Sequence, residues 1–383
     1  MADEKRTYRV AVIGHTGRGD YGHGLDVAWL DVERAKMVAV ADADRMGLAA
    51  AAKRLNLDAA ASFVDYRKML DDVKPDVVSI CPRWLDQHHA MIVAAVDRGI
   101  HVYMEKPFCR SLVEADEIVD ACQRKHVRLA IAHQTHYSPK IDAVKKLIAD
   151  GAIGDVLELR GRGKEDRRGG GEDLWVLGSH VLDLMRLFGG DATRCFATLS
   201  QNGKPVTAAD VKPGNEGLGP LAGDEIAATF ELASGAKGFF ASRANMGGGA
   251  GRFGLQIHGS RGIIEILTGY LPSVKLLTDP AWSPGRSNAK WQNVTTAGVD
   301  KPEPLKPEGG PLHPGNVVAI DDLLDAIEQN REPKCGVLDA RATVEMISAV
   351  FESHRVGGPV KMPLVNRKHP LEMLAAAGMQ KAK

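Results

Sequence analysis

Cysteines are sparse in this sequence and form no recognisable motif. The chain has 383 residues and five cysteines, at positions 81, 109, 122, 195 and 335, with no C-x-x-C pair. Disulfide frameworks need dense, paired cysteines, and structural zinc sites need closely spaced ligands. We therefore expect a reduced, cytoplasmic protein, and we expect no metal.

The sequence also lacks an excess of either charge and a long hydrophobic run. Its 49 lysines and arginines balance 49 acidic residues, and only 5% of its residues are aromatic. Nucleic acids and anionic membranes select basic surfaces, and a membrane-spanning helix needs about 20 consecutive apolar residues. We expect no nucleic-acid partner, no membrane partner and no signal peptide, and the length suits two globular domains.

The first third of the chain alternates strands with helices. The predicted strands are apolar runs at 8–13, 37–41, 77–81, 102–104 and 128–132. Helices are predicted at 87–98 and 111–125, and the second is opened by a capping box of Ser111 and Glu114. This alternation with short connections predicts a doubly wound parallel α/β sheet, which we assign to a domain of residues 1–132.

After residue 132 the pattern changes to consecutive strands. Strand-like runs lie at 156–161, 226–232, 236–242, 255–259 and 262–267. Helices are predicted at 138–150, 316–329 and 338–356, and Gly/Pro-rich loops at 202–223, 245–251 and 298–315. Strands without intervening helices favour antiparallel pairing. Residues 133–383 are therefore predicted to form a second, α+β domain with an open, mainly antiparallel sheet.

A glycine-rich turn follows the first strand and precedes a helical pattern that starts at Leu25. Its glycines are Gly14, Gly17, Gly19, Gly22 and Gly24. The backbone amides of such a turn, together with the positive end of a helix, attract a pyrophosphate. We prefer the register Gly14-x-Thr16-x-x-Gly19, which encloses Gly17 and Arg18, over Gly17-x-Gly19-x-x-Gly22, which starts three residues later.

Asp42 ends the second predicted strand. We expect its carboxylate to accept hydrogen bonds from an adenosine ribose, which favours NAD and repels the 2′-phosphate of NADP. Arg45 lies nearby and keeps NADP open as the less favoured alternative.

Residues 101–107 lead an apolar strand into Glu105, Lys106 and Pro107. Ligands of parallel sheets bind beyond the carboxyl ends of the strands, so Glu105 and Lys106 are expected where cofactor and substrate meet. A proline can adopt the cis peptide at modest cost and so fix a tight turn. The alternative is a strand cap with a surface Lys–Glu pair.

A third segment, residues 169–183, contains three glycines and then a histidine and an aspartate. Ser179 is predicted to cap a helix, which puts His180 at the first helical position and Asp183 on the same face. The helix end disfavours an imidazolium and Asp183 favours it, so His180 could serve as a proton shuttle. The alternative is a histidine that only caps a helix whose apolar side chains enter the core.

With these segments in order, the chain resembles the Gfo/Idh/MocA family of nicotinamide-dependent oxidoreductases over nearly its whole length. The resemblance rests on the glycine turn, Asp42, the segment around Pro82 and His88, Glu105-Lys106-Pro107, His180-x-x-Asp183 and a tail at 355–363. It implies a Rossmann domain, a C-terminal domain whose open sheet forms dimers or tetramers, and substrates among sugars, polyols and their derivatives.

The resemblance also implies roles for individual residues. Lys106 would touch both the substrate and the nicotinamide ribose, His180 would exchange a proton with the reacting hydroxyl, and Asp183 would position nearby groups. The residues implied to bind the cofactor are Gly14, Thr16, Gly17, Arg18, Gly19, Asp42, Pro82, His88, Glu105 and Lys106. Those implied to bind substrate are Lys106, His133, Gln134, Trp175 and His180.

The sequence departs from the family pattern in two places. Many members carry an aspartate four residues before the histidine, where this chain has Val176, and the nearest preceding carboxylate is Asp173. The connection between Pro82 and His88 is two residues longer and is expected to change the wall near the nicotinamide.

Two histidines after the last Rossmann strand could suggest a metal pair. His133 and His136 lack a third ligand at recognisable spacing, so we instead expect His133 or Gln134 to donate to a substrate hydroxyl.

The leading functional hypothesis is an NAD(H)-dependent sugar or polyol dehydrogenase in which Lys106 and His180 remove the hydroxyl proton as hydride leaves. The charged residues 162–168 could cover the sugar, with arginines that suit an acidic or phosphorylated group, or they could form a solvated turn. One alternative is a glycosidase that oxidises a sugar transiently with tightly held NAD. Another, suggested by Val176, is a non-catalytic cofactor-binding protein.

Overall fold

The computed structural model describes residues 6–246, 249–306 and 308–381, which divide into two compact units. The first unit contains residues 6–137, Glu216–Leu218 and Glu308–Arg341, and the second contains Ser138–Asn215, 219–306 and 342–381. This division differs from the boundary predicted after residue 132, because the segment 308–341 returns to pack with the first unit. Residues 247, 248 and 307, which fall in predicted loops, lie outside the described residues.

The first unit is built on a six-stranded sheet in which every pairing is parallel. Its strands are β1 Tyr8–Ile13, β2 Ala35–Ala41, β3 Ser62–Phe63, β4 Val77–Ile80, β5 His101–Met104 and β6 Leu129–Ile131. Its helices are α1 Arg45–Arg54, α2 Tyr66–Val73, α3 His88–Asp97 and α4 Leu112–Lys125, with α9 His313–Glu328 from the returning segment. The strand order is β3-β2-β1-β4-β5-β6. Successive strands are added on one side of β1 up to β3 and on its other side from β4 to β6, so the predicted doubly wound parallel sheet is confirmed.

Two local predictions in this unit are wrong. The crossover after the glycine turn contains a 3-10 helix at Val27–Asp31, whereas the sequence predicts a regular helix from Leu25. Gly22 and Gly24 have φ of +62° and +80°, and this left-handed backbone is incompatible with α-helix just before Leu25. The capping box is only half formed, since Ser111 accepts from the Glu114 amide at 3.2 Å but the Glu114 carboxylate accepts from the amide of Arg110 at 2.8 Å.

The second unit is built on an eleven-stranded sheet that is mainly antiparallel. Its strands, with the separate hairpin β10–β11, are β7 Val156–Arg162, β8 Ala192–Gln201, β9 Lys204–Pro205, β10 Lys212–Pro213, β11 Pro220–Leu221, β12 Glu225–Leu232, β13 Lys237–Arg243, β14 Gly254–Gly259, β15 Gly262–Leu267, β16 Val274–Leu277, β17 Gln292–Thr295, β18 Gly298–Val299 and β19 Val360–Lys361. β7 and β13 pair in parallel, which makes the sheet mixed.

The helices of the second unit follow the same chain order. They are α5 Pro139–Ala149, α6 Gly171–Val176, α7 Gly178–Gly189, α8 Pro284–Ser287, α10 Val337–Val356, which starts in the first unit, and α11 Pro370–Lys381. Ser138 caps α5 as predicted, by accepting from the amide of Lys140 at 3.2 Å. None of the described helices combines the length and apolar character needed to cross a membrane.

Helix α7 lies close against one face of this sheet because small residues leave room for it. A Cβ added at Gly161 would lie 2.5 Å from Val181, and one added at Gly238 would lie 2.6 Å from the Met185 sulfur. On the other face, alternate residues of β12 and β13 are exposed, as period-2 strands with one covered face require. The core of the unit therefore lies between α7 and the sheet.

Candidate active site

The carboxylate of Asp42 is held by the glycine turn. It accepts hydrogen bonds from the amide and hydroxyl of Thr16 at 3.0 and 2.7 Å, from the Tyr21 hydroxyl at 2.9 Å and from the Asp44 amide at 2.9 Å. Burial raises the pKa of Tyr21, and the neighbouring Asp42 adds to the rise. Tyr21, which the sequence did not single out, thus ties Asp42 to the turn, and contact of Asp42 with a ribose stays a prediction.

A cavity opens at the carboxyl ends of β1, β2 and β3. It measures about 210 Å³, and its lining includes Gly14, His15, Asp42 and Tyr66. This is the edge of a doubly wound sheet at which nucleotides bind. At Gly17, with φ of +81°, an added Cβ would meet no described atom within 4 Å, so the backbone of the turn is accessible. The residues present therefore fit a dinucleotide.

The longer connection after β4 packs directly on the glycine turn. A Cβ at Gly19 would lie 2.3 Å from the amide nitrogen of Arg83, so only glycine permits this approach. The Arg18 guanidinium lies 4.5 Å from the centre of the Trp84 ring and pairs with Asp86. The inserted residues thus fix Arg18, which is predicted to bind the cofactor, in one position.

Glu105 links the end of β5 to the glycine turn. Its completely buried carboxylate accepts from the His23 amide at 3.0 Å, from the His23 ring and from the Lys106 amide at 2.7 Å. Burial alone would raise the pKa of Glu105, but the hydrogen bond and charge of His23 together with Lys106 outweigh it and lower the pKa. The Glu105–His23 pair was missed by sequence reasoning, because no local pattern links positions so far apart.

His88 supports the turn that carries Lys106. The His88 ring is completely buried, with Nδ1 2.9 Å from the Pro107 carbonyl oxygen and Nε2 2.7 Å from the Pro82 carbonyl oxygen. The Lys106–Pro107 peptide is cis, and Lys106 is 6% exposed. His88 therefore joins the ends of β4 and β5 through backbone groups, and a direct contact of His88 or Pro82 with the cofactor stays a prediction.

The loop after β6 holds the predicted substrate residues of the first unit. His133 and Gln134 are 2% and 6% exposed, and Nδ1 of His133 lies 3.7 Å from the sulfur of Cys335. Nε2 of Gln134 donates to the side chain of Asn316 at 3.1 Å. Asn316 and Cys335 belong to the returning segment, which the sequence assigned to the second domain, so neither residue was expected at this position.

In the second unit, His180 and Asp183 lie one turn apart on α7. The helix begins at Gly178 with Leu177 as its N-cap, so the prediction that Ser179 caps it is wrong. The chain turns directly out of α6, which ends at Val176, and helical geometry is already established before Ser179. The half-buried His180 ring meets the edge of Phe253 at 6.3 Å between centres.

Asp173 anchors the charged segment 162–168. Its buried carboxylate accepts from the Ser242 hydroxyl at 2.5 Å and from the amide of Glu165 at 3.1 Å. Burial raises the pKa of Asp173, and these hydrogen bonds partly oppose the rise. Glu165 is itself 2% exposed and pairs with Arg162 and Arg252 at 3.0 and 2.9 Å, so the alternative of a fully solvated turn is wrong.

The candidate residues therefore form two groups, each within one unit. In the first unit the glycine turn, Asp42, Glu105 and Lys106 gather at the carboxyl edge of the parallel sheet. In the second unit Trp175 and Val176, which are 0% and 4% exposed, lie on α6, just before His180 and Asp183.

Comparison with known proteins matches both units to one family. A family profile described as "Oxidoreductase family, NAD-binding Rossmann fold" matches residues 8–133, and the "GFO/IDH/MocA C-terminal domain" matches residues 141–265. D-apiose dehydrogenase of Paraburkholderia graminis is 32% identical over 197 residues, which are 48% of this chain and 51% of that protein. Levoglucosan dehydrogenase of Pseudarthrobacter phenanthrenivorans is 28% identical over 250 residues, 59% of this chain and 63% of that protein. The matches thus span about half to three-fifths of these relatives.

Solved structures show the same fold over almost the entire chain. A levoglucosan dehydrogenase in complex with NADH and L-sorbose superposes with a TM-score of 0.73 at 22% identity, covering 94% of this chain and 100% of that one.

Proposed function

Since the chain belongs to the GFO/IDH/MocA oxidoreductase family, we propose that it is an NAD-dependent dehydrogenase of a sugar, polyol or sugar derivative. The observation that carries the proposal is the position of Lys106 at the carboxyl edge of the sheet beside the glycine turn, where its backbone amide donates to the buried Glu105 carboxylate. Relatives that act on apiose and levoglucosan support the substrate class.

The proposed division of labour follows the two groups of residues. The glycine turn with Thr16, Arg18 and Asp42 would hold NAD, which when bound supplies the hydride acceptor. Lys106 would hydrogen-bond the substrate hydroxyl and lower the cost of its deprotonation. His180 would take the proton, while Asp183 orients groups around the ring. His133, Gln134 and Trp175 would bind the remaining hydroxyls of the substrate.

We extend the proposal to the domains, to assembly and to location. Residues 1–132 would bind the cofactor, and residues 133–383 would bind substrate and form a homodimer or homotetramer through the open face of the sheet. Phe196, Thr229 and Phe239 are register partners on β8, β12 and β13, and the two phenylalanines are 45% and 36% exposed. An exposed apolar row of this kind suits an interface. The five cysteines are buried and form no disulfide within the described residues, which suits the cytoplasm.

A panel of sugars, polyols and their acids tests the proposal. Reduction of NAD⁺, followed by the absorbance of NADH, should identify at least one substrate, and mass spectrometry should find NAD rather than NADP in the purified protein. Release of an aglycone without net NADH would instead favour the glycosidase alternative. Failure of every panel member, with cofactor still bound, would favour the non-catalytic one.

A further inference from the structure

Asn316 occupies the centre of a buried hydrogen-bond network in the first unit. Its side chain is 0% exposed and lies on α9. Nδ2 donates to the carbonyl oxygen of His23 at 3.0 Å, while Oδ1 accepts from the Tyr103 hydroxyl at 2.9 Å and from Nε2 of Gln134 at 3.1 Å. A carbonyl oxygen can only accept, so the bond to His23 fixes which way the Asn316 amide points.

The fixed amide of Asn316 determines the orientation of Gln134. Because Asn316 presents an oxygen, Gln134 must turn its NH₂ group toward it, and its own carbonyl oxygen Oε1 then points elsewhere. Among the described residues, no side-chain or backbone group donates a hydrogen bond to Oε1. Gln134 lies just beyond the carboxyl end of β6, at the edge of the sheet where ligands bind.

We propose that Asn316 is a positioning residue that makes Gln134 a hydrogen-bond acceptor for the substrate. The substrate group at this position is then a donor, an uncharged hydroxyl, and a carboxylate or phosphate there is rejected because two acceptors would face each other. This reverses the sequence expectation that Gln134 donates. The inference rests on the proposed function and narrows its substrate class to neutral sugars and polyols at this position.

Two arginines of the charged segment in the second unit are paired with acidic side chains of the same segment. Arg162 pairs with Glu165 at 3.0 Å, and Arg168 pairs with Asp166 at 2.7 Å, so both arginines are already matched by carboxylates of their own segment. The hydrogen bond and charge of Arg168 lower the pKa of Asp166 to about 2, which keeps that carboxylate ionised.

Substitutions that change the hydrogen-bonding groups of residue 134 test the inference. The substrates are the best neutral member of the panel, its deoxy analogues and its carboxylate analogues, and kcat and KM are measured separately for each. In the unaltered protein one deoxy analogue should lose about tenfold in kcat/KM. Gln134→Met should remove that difference, and Gln134→Lys should lower kcat/KM for the neutral substrate at least tenfold while improving a carboxylate analogue.

The role of Asn316 is tested by Asn316→Ala, which frees the Gln134 amide to rotate. We expect the preference for the neutral substrate over the carboxylate analogue to fall about tenfold, mainly through KM, with NAD⁺ binding unchanged. Asn293→Ala, on the exposed part of β17, is the control that should change nothing. If Asn316→Ala does not fold, the two Gln134 variants still show whether Gln134 accepts a hydrogen bond from the substrate.

Two outcomes separate the inference from the function on which it rests. A protein that turns over no panel member contradicts the proposed function. A protein that turns over substrate but keeps its full preference for the hydroxyl in both Gln134 variants contradicts the inference alone.

Discussion

At the scale of single residues, Asp42 is expected to set the choice of cofactor. Its carboxylate at the end of β2 would repel a 2′-phosphate, so the protein should bind NAD⁺ at least tenfold more tightly than NADP⁺, or about 1.4 kcal/mol. Asp42→Asn should lower the ratio of NAD⁺ affinity to NADP⁺ affinity. Asp44→Asn, which preserves the N-cap of α1, should leave this ratio unchanged. Fluorescence titration with both cofactors measures the ratio. Tighter binding of NADP⁺ by the unaltered protein would contradict this prediction and would indicate that Arg45 selects the cofactor.

His180 and Val176 make a second pair of single-residue tests. His180→Asn should lower kcat by roughly a hundredfold to ten-thousandfold, because it removes the group that takes the proton. Val176 is 4% exposed, so Val176→Asp should bury a new carboxyl, cost about 2 kcal/mol or more of stability and leave activity unchanged or lower. Initial rates against pH are compared for the three proteins.

Either of two results would change this account of the second unit. An unaltered pH profile in His180→Asn would remove that residue from the chemistry. A strong gain of activity in Val176→Asp would indicate that the natural protein is a binder or catalyses another reaction.

At the scale of elements, the hydrogen bonds between His23 and Glu105 link the glycine turn to the end of β5. The pKa of Glu105 is lowered from its ordinary value of 4.5, so the pair stabilises the fold fully above that pH and loses its effect as the pH falls through the lowered pKa. His23→Gln should therefore lower the free energy of unfolding by about 1–3 kcal/mol at pH 7. The difference from the unaltered protein should shrink below pH 4.5.

Denaturant unfolding between pH 3 and pH 7 measures this prediction, with roughly half-unit steps. His126→Gln, at the exposed C-cap of α4, serves as the control. A stability difference for His23→Gln that does not depend on pH would show that the ionised Glu105 carboxylate is not its cause.

The elements also show how far the sequence can be interpreted. Strands such as β1 and β5 and the helix α5 are specified locally, by apolar runs and by the Ser138 cap, and they were predicted nearly to the residue. The longest strand, β8, was missed because its alternation of Cys195, Ala197 and Leu199 with polar residues is only weakly apolar. The alternation that predicts a strand is therefore present in this segment, but it is weak.

Long-range packing explains what the sequence could not specify. The contacts of Asn316 with Gln134, and of His23 with Glu105, join positions 182 and 82 residues apart. Motif spacing singled out Lys106, Asp42 and His180 as candidates, because each lies at or near the end of a recognisable element. The buried contacts made by Tyr21, His23 and Asn316 involve residues that belong to no local motif.

At the scale of the whole molecule, the open face of the second unit's sheet should govern assembly. Phe239→Glu places a charge in the exposed row of Phe196, Thr229 and Phe239 and should convert an oligomer to monomers at micromolar concentration. Val113→Glu, at an exposed apolar position on α4, should leave the assembly intact. Sedimentation analysis measures the oligomeric state of the unaltered protein and of both variants. A monomeric unaltered protein would contradict the proposed interface.

The central claim is that this chain oxidises a neutral sugar or polyol with NAD⁺ through Lys106, and one measurement tests it most directly. Steady-state reduction of NAD⁺ is compared for the unaltered protein, Lys106→Ala and the exposed control Lys125→Ala on the best panel substrate, alongside NAD⁺ affinity. We predict that Lys106→Ala loses roughly a hundredfold to ten-thousandfold in kcat while its NAD⁺ affinity and the control stay near native. Near-native kcat in Lys106→Ala would contradict the account.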